Sequence, residues 1–351
     1  MKYKLKVYSI YEMGQRTNQE DALFPEYGKA TEQDRLFILC DGMGGHECGE
    51  VASQTVCEAM SRSILSRQSD TFTDEMLNQA VTDALDALDK KDNGAAQKMG
   101  TTMTLLSLHA GGCTIAHIGD SRVYHIRQGA TKDETLILHK TEDHSLVNYL
   151  IKAGQLTPEE AKHSKQKNVI TRAMQPNVEK RPKADVYHSA DIRPGDYFYL
   201  CSDGMLEQME DDNLRFMFSA KIATDEDRVK ILVQNTAENK DNHAAFLVHI
   251  TDVLDAPVAA PSEVSKTSEP TNKKSSTIRG HKLKPIPIEE LKEVTSFYNA
   301  PDEEDDDEEE GKKQPLATQK VPLMGRFPRW LIIVAAALMG ALVVFLWKLF
   351  S

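Results

Sequence analysis

The chain has 351 residues, 40% of them hydrophobic and 27% charged, with a formal net charge of −12. That length and apolar content suffice for one large domain with a sizeable core, and no nucleic-acid partner is expected. The five cysteines, Cys40, Cys48, Cys57, Cys113 and Cys201, show no C-x-x-C spacing and read as reduced, buried thiols of a cytosolic domain. No N-terminal apolar stretch resembles a signal peptide.

In chain order, four short segments carry an aspartate: NQEDA at Asp21, CDGMGG at Asp41, CSDGM at Asp203 and KDNH at Asp241. Asp41 follows the apolar run Leu36 to Cys40, and Asp203 follows Tyr197 to Ser202; both runs have the length expected of buried strands. Gly42 and Gly204 come next, so the chain is expected to turn sharply there and bring its backbone close to a ligand. A carboxylate at a strand end packs poorly in a core and suits a hard cation such as Mg²⁺ or Mn²⁺. An isolated Asp-Gly pair reads equally well as turn punctuation; the complete set points to a metal site.

Between these segments, TDEMLNQAVTDALDALDKK places Met76, Leu77, Ala80, Val81, Ala84, Leu85 and Leu88 on one helical face, with Asn93-Gly94 as a stop. Residues 100–126 read as successive strands with a hairpin turn at His109 to Gly112. Asp143 to Arg172 read as two short helices around Leu156-Thr157-Pro158. Strands interleaved with helices over about 250 residues fit one α/β domain.

In this order, GQRTNQEDA (14–22), DGMGGHECGE (41–50), GTT (100–102), HIGDSR (117–122), EDHS (142–145), NVITRA (168–173), CSDGM (201–205) and DNH (241–243) closely resemble the metal-dependent protein phosphatase 2C family in its bacterial form. The match covers roughly residues 1 to 252. The resemblance implies a central sandwich of two antiparallel β-sheets flanked by helical layers, with metals at one end. It also implies a protein serine/threonine phosphatase in which two Mg²⁺ or Mn²⁺ ions activate a water for direct attack on phosphoserine or phosphothreonine.

Carried over by position, Asp41 bridges both ions, the Gly42 carbonyl joins one of them, and Asp203 and Asp241 complete the other. Glu20 and Asp21 match acidic positions that mostly hold metal-bound water, and stand either behind the ligands or as weak ligands themselves. Asp120, with Asp203, takes a third ion, and Arg16 grips the substrate phosphate, which suits its planar fork. Two positions depart from the pattern. Met43 replaces a histidine proposed as proton donor in eukaryotic relatives, which leaves a metal-bound water or His46 for that role. Ala244 replaces a common threonine, although Asp241 and Asn242 remain. Relatives carry a flap at 143–172, where Lys162, His163, Lys165 and Lys167 are either substrate-selecting or simply solvated. The competing reading is a non-catalytic phosphoprotein-binding module, which predicts a missing ligand.

The catalytic domain is expected over residues 1–255. Residues 256–325 are rich in Pro, Ser, Thr, Lys and Glu and too poor in apolar residues to offset their ordering entropy, so a disordered linker is expected. Within it, Ile286 to Tyr298 has apolar residues near helical spacing, an inert stretch or a docking patch. Asp302 to Glu310 are nine consecutive acidic residues, nine of the twelve net negative charges, which leaves −3 for the remainder. Trp330 to Trp347 form an eighteen-residue uncharged run with tryptophan at each end, so a transmembrane helix is expected over 330–348. Lys320, Arg326 and Arg329 precede it and only Lys348 follows, which keeps the long N-terminal part in the cytoplasm. The expected protein is a monomer with a single-pass C-terminal anchor. Its expected partners are phosphorylated proteins, among them a membrane-bound Ser/Thr kinase.

Overall fold

In the computed structural model, which describes residues 2–254 except 45, 46, 68, 70, 93, 95–98 and 208, the elements follow in this order: β1 (Lys2–Glu12), β2 (Asp21–Phe24), β3 (Leu36–Met43), α1 (Glu47–Leu65), α2 (Asp74–Lys91), β4 (Gly100–Thr101), β5 (Met103–His109), β6 (Gly112–Ile118), β7 (Arg122–Arg127), β8 (Leu136–Lys140), α3 (Leu146–Lys152), α4 (Pro158–Lys162), β9 (Asp185–Ser189), β10 (Asp196–Cys201), α5 (Asp211–Met217), α6 (Asp225–Thr236) and β11 (His243–Leu254). The expected linker, acidic run, 286–298 patch and 330–348 span lie outside the described residues. Among the described residues, no helix is long and apolar enough to cross a membrane.

The strands form two antiparallel sheets, one ordered β1-β11-β10-β7-β8 and the other β2-β3-β5-β6-β9, with β4 paired to β3. Their facing sides share a core in which Phe37, Leu39, Leu106 and Ile115 of one sheet meet Phe198, Phe246 and Val248 of the other. Phe37 and Phe246 touch edge to face, with ring centroids 5.4 Å apart. The opposite face of β3 sends Ile38 and Cys40 against α1 and α2, onto Val56, Met60, Leu77, Val81 and Leu85. On the other outer side, Tyr124, Tyr197, Tyr199 and Leu247 pack against Leu214, Met217 and Leu232 of α5 and α6. Four layers therefore enclose three cores. Both faces of the central strands are dry, and for that reason Leu36 to Cys40 read as a continuous apolar run instead of an alternating one.

Helix α2 begins at Thr73, whose hydroxyl accepts from the Met76 N–H, and is closed by Asp92. Six of the seven residues on its expected apolar face are buried, whereas Met76, at the first turn, is not among them. The hairpin turn lies where expected, with His109 opposite Gly112. The 143–172 segment does hold two short helices, the second opened by Thr157 in a capping box with Glu160 and by Pro158 in its first turn.

One expectation is corrected. The chain does not turn after Asp41, because β3 continues through Gly42 and Met43, which pair with Thr101 and Gly100. Gly42 is required there by close approach. A Cβ on it would run into the Gly49 carbonyl oxygen and lie 2.5 Å from that of Glu20. After Asp203 the chain does turn, through a short 3-10 segment, Asp203–Leu206.

Candidate metal centre and active site

Strand register brings the acidic residues to one end of the sandwich. Asp41, near the end of β3, is directly opposite Asp21, the first residue of β2. In the other sheet, Cys201 at the end of β10 pairs with both Ala245 of β11 and Arg122 of β7. Asp203 therefore leaves one strand where Asp241 enters another, and Asp120 occupies the turn from β6 into β7. The end of β1 pairs with the start of β11, Glu12 opposite His243, so the loop carrying Arg16 reaches the same end. Arg16 makes a forked contact with Asp241, Nε to Oδ1 at 3.0 Å and Nη2 to Oδ2 at 3.1 Å.

The carboxylates are held from behind. The Asp41 N–H donates to Thr102 Oγ1 at 3.0 Å, and its carbonyl accepts from Thr102 N at 2.9 Å and Thr101 Oγ1 at 2.8 Å. Ser202 donates to Asp21 Oδ2 at 3.0 Å and accepts from Ala244 N at 2.9 Å. A side-chain hydroxyl thus remains beside Asp21 although residue 244 has none. Asn242 ties three chain segments together by accepting from Glu20 N and donating to the Met13 and Asn18 carbonyls. Glu207 accepts from the backbone of Lys240 and Asp241. Glu20 supplies its carbonyl to Gly42 N and Ser53 Oγ, and its carboxylate lies against Gly49 in the first turn of α1.

Burial and mutual repulsion control the charge of this cluster. Burial, and then the Asp203, Asp241 and Glu20 carboxylates, push Asp21 well above the ordinary range, against the opposing bond from Ser202. Asp41 is pushed up by burial and by Asp21, Asp203, Asp241 and Asp120, and Asp120 by burial and Asp203. Asp203 is raised to about 6 by burial and Asp241, with a bond to Asp41 opposing. Such groups gain most from a cation among them. The donor set is oxygen only, and the buried Asp21 Oδ1 and Asp120 Oδ1 have no hydrogen-bond partner among the described residues. These residues therefore fit the hard divalent ions expected from the sequence.

The structure brings together Arg16, Glu20, Asp21, Asp41, Gly42, Asp120, Asp203 and Asp241. Met43 lies in β3 beside Gly100 and has no proton to give; His46 is outside the described residues. Of the flap cations, Lys162 is held by Glu210 at 3.0 Å, bridging α4 to the start of α5, and the exposed His163 stands 3.8 Å from Glu159. Thr101, Thr102, Ser121, Ser202, Asn242 and Glu207 were missed as supports. All but Glu207 sit inside the motifs already singled out, and Ser121, Ser202 and Asn242 stand next to an aspartate, whereas Thr101 and Thr102 have none near them in sequence.

A second cluster, His117, His144 and Asp185, has potential ligand atoms within 4.8 Å of one another. Its donors are committed elsewhere. His144 Nδ1 accepts from Gly119 N at 3.0 Å, so its proton sits on Nε2, facing Asp185 Oδ2 at 3.1 Å. His117 Nε2 bonds to the Glu142 carbonyl, and Arg172 already neutralises Asp185. This is a relay of stacked and hydrogen-bonded groups, in which one nitrogen of His117, both of His144 and both Asp185 oxygens are already engaged.

Residues 13–235 match the family model described as Protein phosphatase 2C; Asp241 lies just beyond that match. The protein phosphatase PhpP of Streptococcus pneumoniae is 32% identical over 256 residues, which cover 71% of this chain and 98% of that protein. Among solved structures, the catalytic domain of the serine/threonine phosphatase PstP in complex with two manganese ions superposes with a TM-score of 0.58 at 28% identity, covering 72% of this chain and 100% of that one. Staphylococcus aureus serine/threonine phosphatase Stp1 gives 0.57 at 30% identity, covering 70% and 95%.

Proposed function

The chain belongs to the protein phosphatase 2C family and is a protein serine/threonine phosphatase, and from that premise we propose that the carboxylate cluster works as a two-metal hydrolytic centre on phosphoserine and phosphothreonine. The observation that carries the reading is the convergence of Asp41, Asp203 and Asp241, with Arg16 at their edge. Asp41, the Gly42 carbonyl, Asp203 and Asp241 would hold two Mg²⁺ or Mn²⁺ ions, and Asp120 with Asp203 a third. Bound there, the ions supply a water acidic enough to attack at neutral pH and charge that offsets the phosphoryl oxygens.

The chain's own residues do the rest. Asp21 and Glu20 orient water beside the ligands. Arg16 exchanges one acidic partner for another when it turns its fork from Asp241 to a substrate phosphate, and loses no charge pairing in doing so. Thr102, Ser202 and Asn242 keep the carboxylates from drifting apart under their own repulsion. A non-catalytic module would have lost a ligand, and every expected ligand is present in this chain.

The physiological setting we propose is tethering by the 330–348 segment on the cytoplasmic side, where the domain opposes a membrane Ser/Thr kinase. Its support is the uncharged run and the cation asymmetry around it. The full chain in detergent micelles is expected to dephosphorylate phosphoserine and phosphothreonine peptides with Mn²⁺ and to lose that activity with chelator or with Asp41→Asn. Turnover that persists in chelator would remove the mechanism. Cells carrying Asp41→Asn should accumulate phosphoserine and phosphothreonine peptides in the membrane fraction; accumulation only among soluble proteins would remove the tether from the proposal.

A further inference from the structure

The His117–His144–Asp185 relay has a place in the fold that neither the metal centre nor the substrate side explains. His144 lies 24 residues after Asp120, yet it holds both peptide groups that flank Gly119. The Gly119 N–H donates to His144 Nδ1 at 3.0 Å, and the Gly119 carbonyl accepts from His144 N, also at 3.0 Å. That carbonyl belongs to the peptide leading into Asp120, so its plane sets where the Asp120 side chain begins. Gly119 has φ +107 and fits against Thr102, where a Cβ would meet Thr102 Cγ2 at 2.6 Å. On the other side of Asp120, Ser121 Oγ is 2.8 Å from Thr102 Oγ1. Asp120 is thus clamped at both neighbours, by His144 before it and by Thr102 after it.

The imidazole is itself oriented. Its ring lies parallel to His117, with centroids 4.5 Å apart and planes 8° from parallel. Its Nε2–H points at Asp185, which also accepts from Arg172 Nη1 at 2.5 Å. Burial lowers the His144 pKa to about 4, which agrees with a neutral ring accepting the Gly119 N–H. The His144 carbonyl accepts from Thr171 N at 2.7 Å, and Leu146 N donates to Val169 O at 2.8 Å. The residue that grips Gly119 is therefore also the stem where both ends of the 146–170 segment join.

We propose that His144 is a positioning residue for the cation held through Asp120, with Asp185 fixing the tautomer that lets its Nδ1 accept. The proposal rests on the reading of Asp120 as a cation ligand. Groups that orient a ligand from behind typically change metal affinity 10- to 100-fold when removed. His144→Phe retains the ring that stacks on His117 but leaves the Gly119 N–H without its acceptor. His144→Asn can return an acceptor oxygen at the Nδ1 position.

The test is Mn²⁺ binding by the full chain in detergent, measured by equilibrium dialysis, with thermal melting as the check on folding. Wild type should show a site that Asp120→Ala abolishes. His144→Phe should weaken that site about tenfold or more and leave the remaining Mn²⁺ stoichiometry intact; His144→Asn should recover most of the loss; and His144→Phe should have no further effect in an Asp120→Ala background. If the Phe variant does not fold, Asp185→Ala replaces it and should give a smaller weakening of the same site. Equal weakening of all Mn²⁺ sites, full additivity with Asp120→Ala, or an Asn variant as impaired as Phe would overturn the proposal. Wild type without an Asp120-dependent site would instead overturn the reading on which it rests.

Discussion

Asp41→Asn is expected to stabilise the metal-free protein while abolishing turnover. Folding buries Asp21, Asp41, Asp120 and Asp203 and sets them, with Asp241, in mutual repulsion at one partly dry mouth, and burial first and repulsion second raise the pKa values of those four. For Asp203, a rise from 3.8 to about 6 corresponds to about 3 kcal/mol of lost stability at neutral pH. That figure is a ceiling, because the residue retains part of its surface in water. A group with a raised folded pKa contributes fully below its unfolded value, and the contribution is lost as pH rises through the folded value. Chelated wild type should therefore lose stability relative to Asp41→Asn as pH rises from about 4 through 6. Removing one charge from the centre should return about 1–3 kcal/mol at pH 7.5, or roughly 2–10 °C in Tm for a domain of this size. The assay is urea unfolding of both proteins in EDTA and in Mn²⁺. The repulsion argument fails if the Asp41→Asn variant is no more stable than wild type in EDTA, or if the difference between them does not grow with pH.

Arg16→Ala should raise KM for a phosphopeptide about tenfold or more, since one charge-assisted fork is worth roughly 1.5–3 kcal/mol, and should shift the Mn²⁺ activation midpoint far less; steady-state kinetics at varied peptide and metal separate the two. Gly42→Ala should cost about 1–3 kcal/mol by overpacking and weaken Mn²⁺ binding as well, because the new methyl meets the backbone of Glu20 and Gly49; urea unfolding and dialysis read both effects. His144, lowered from 6.5 to about 4, binds its proton more readily when unfolded. Its contribution is complete above pH 6.5 and is lost as pH falls toward 4, by at most about 3 kcal/mol, so His144→Asn should flatten the stability profile between pH 4.5 and 7 relative to wild type.

The sequence made legible those parts whose cause is local. Leu36 to Cys40 form a strand because both faces are covered, and six residues from Leu77 to Leu88 are buried because their spacing matches one helical face. The site residues were legible because each aspartate lies in a short motif whose composition suits hard cations. The supports were not. Thr102 acts on Asp41 from 61 residues away, Ser202 on Asp21 from 181, and Asn242 on Glu20 from 222. A hydroxyl or an amide has no periodicity that announces such a partner. The turn expected after Asp41 failed for a related reason: Gly42 is needed by two carbonyls that arrive from Glu20 and Gly49, and the sequence around Asp41 does not reveal their approach.

The three cores explain why this repulsion persists. Carboxylates on loops would swing apart into water and relax toward ordinary pKa values. Here Asp41 lies within a paired strand, Asp21 begins its neighbour, and Asp203 and Asp241 stand two residues from the buried strand ends at Cys201 and His243. Separating them would mean breaking strand register or opening dry cores, each more costly than holding protons. The fold thus keeps an unfavourable acidic mouth in place, and a divalent ion removes the penalty when it binds. Saturating Mn²⁺ should then stabilise wild type by about 2.7 kcal/mol at one hundred times the Kd of a single site. Asp41→Asn, already relieved of part of the repulsion and lacking the central ligand, should gain much less. Equal stabilisation of both proteins would mean that the cations act elsewhere on the surface and not at this mouth.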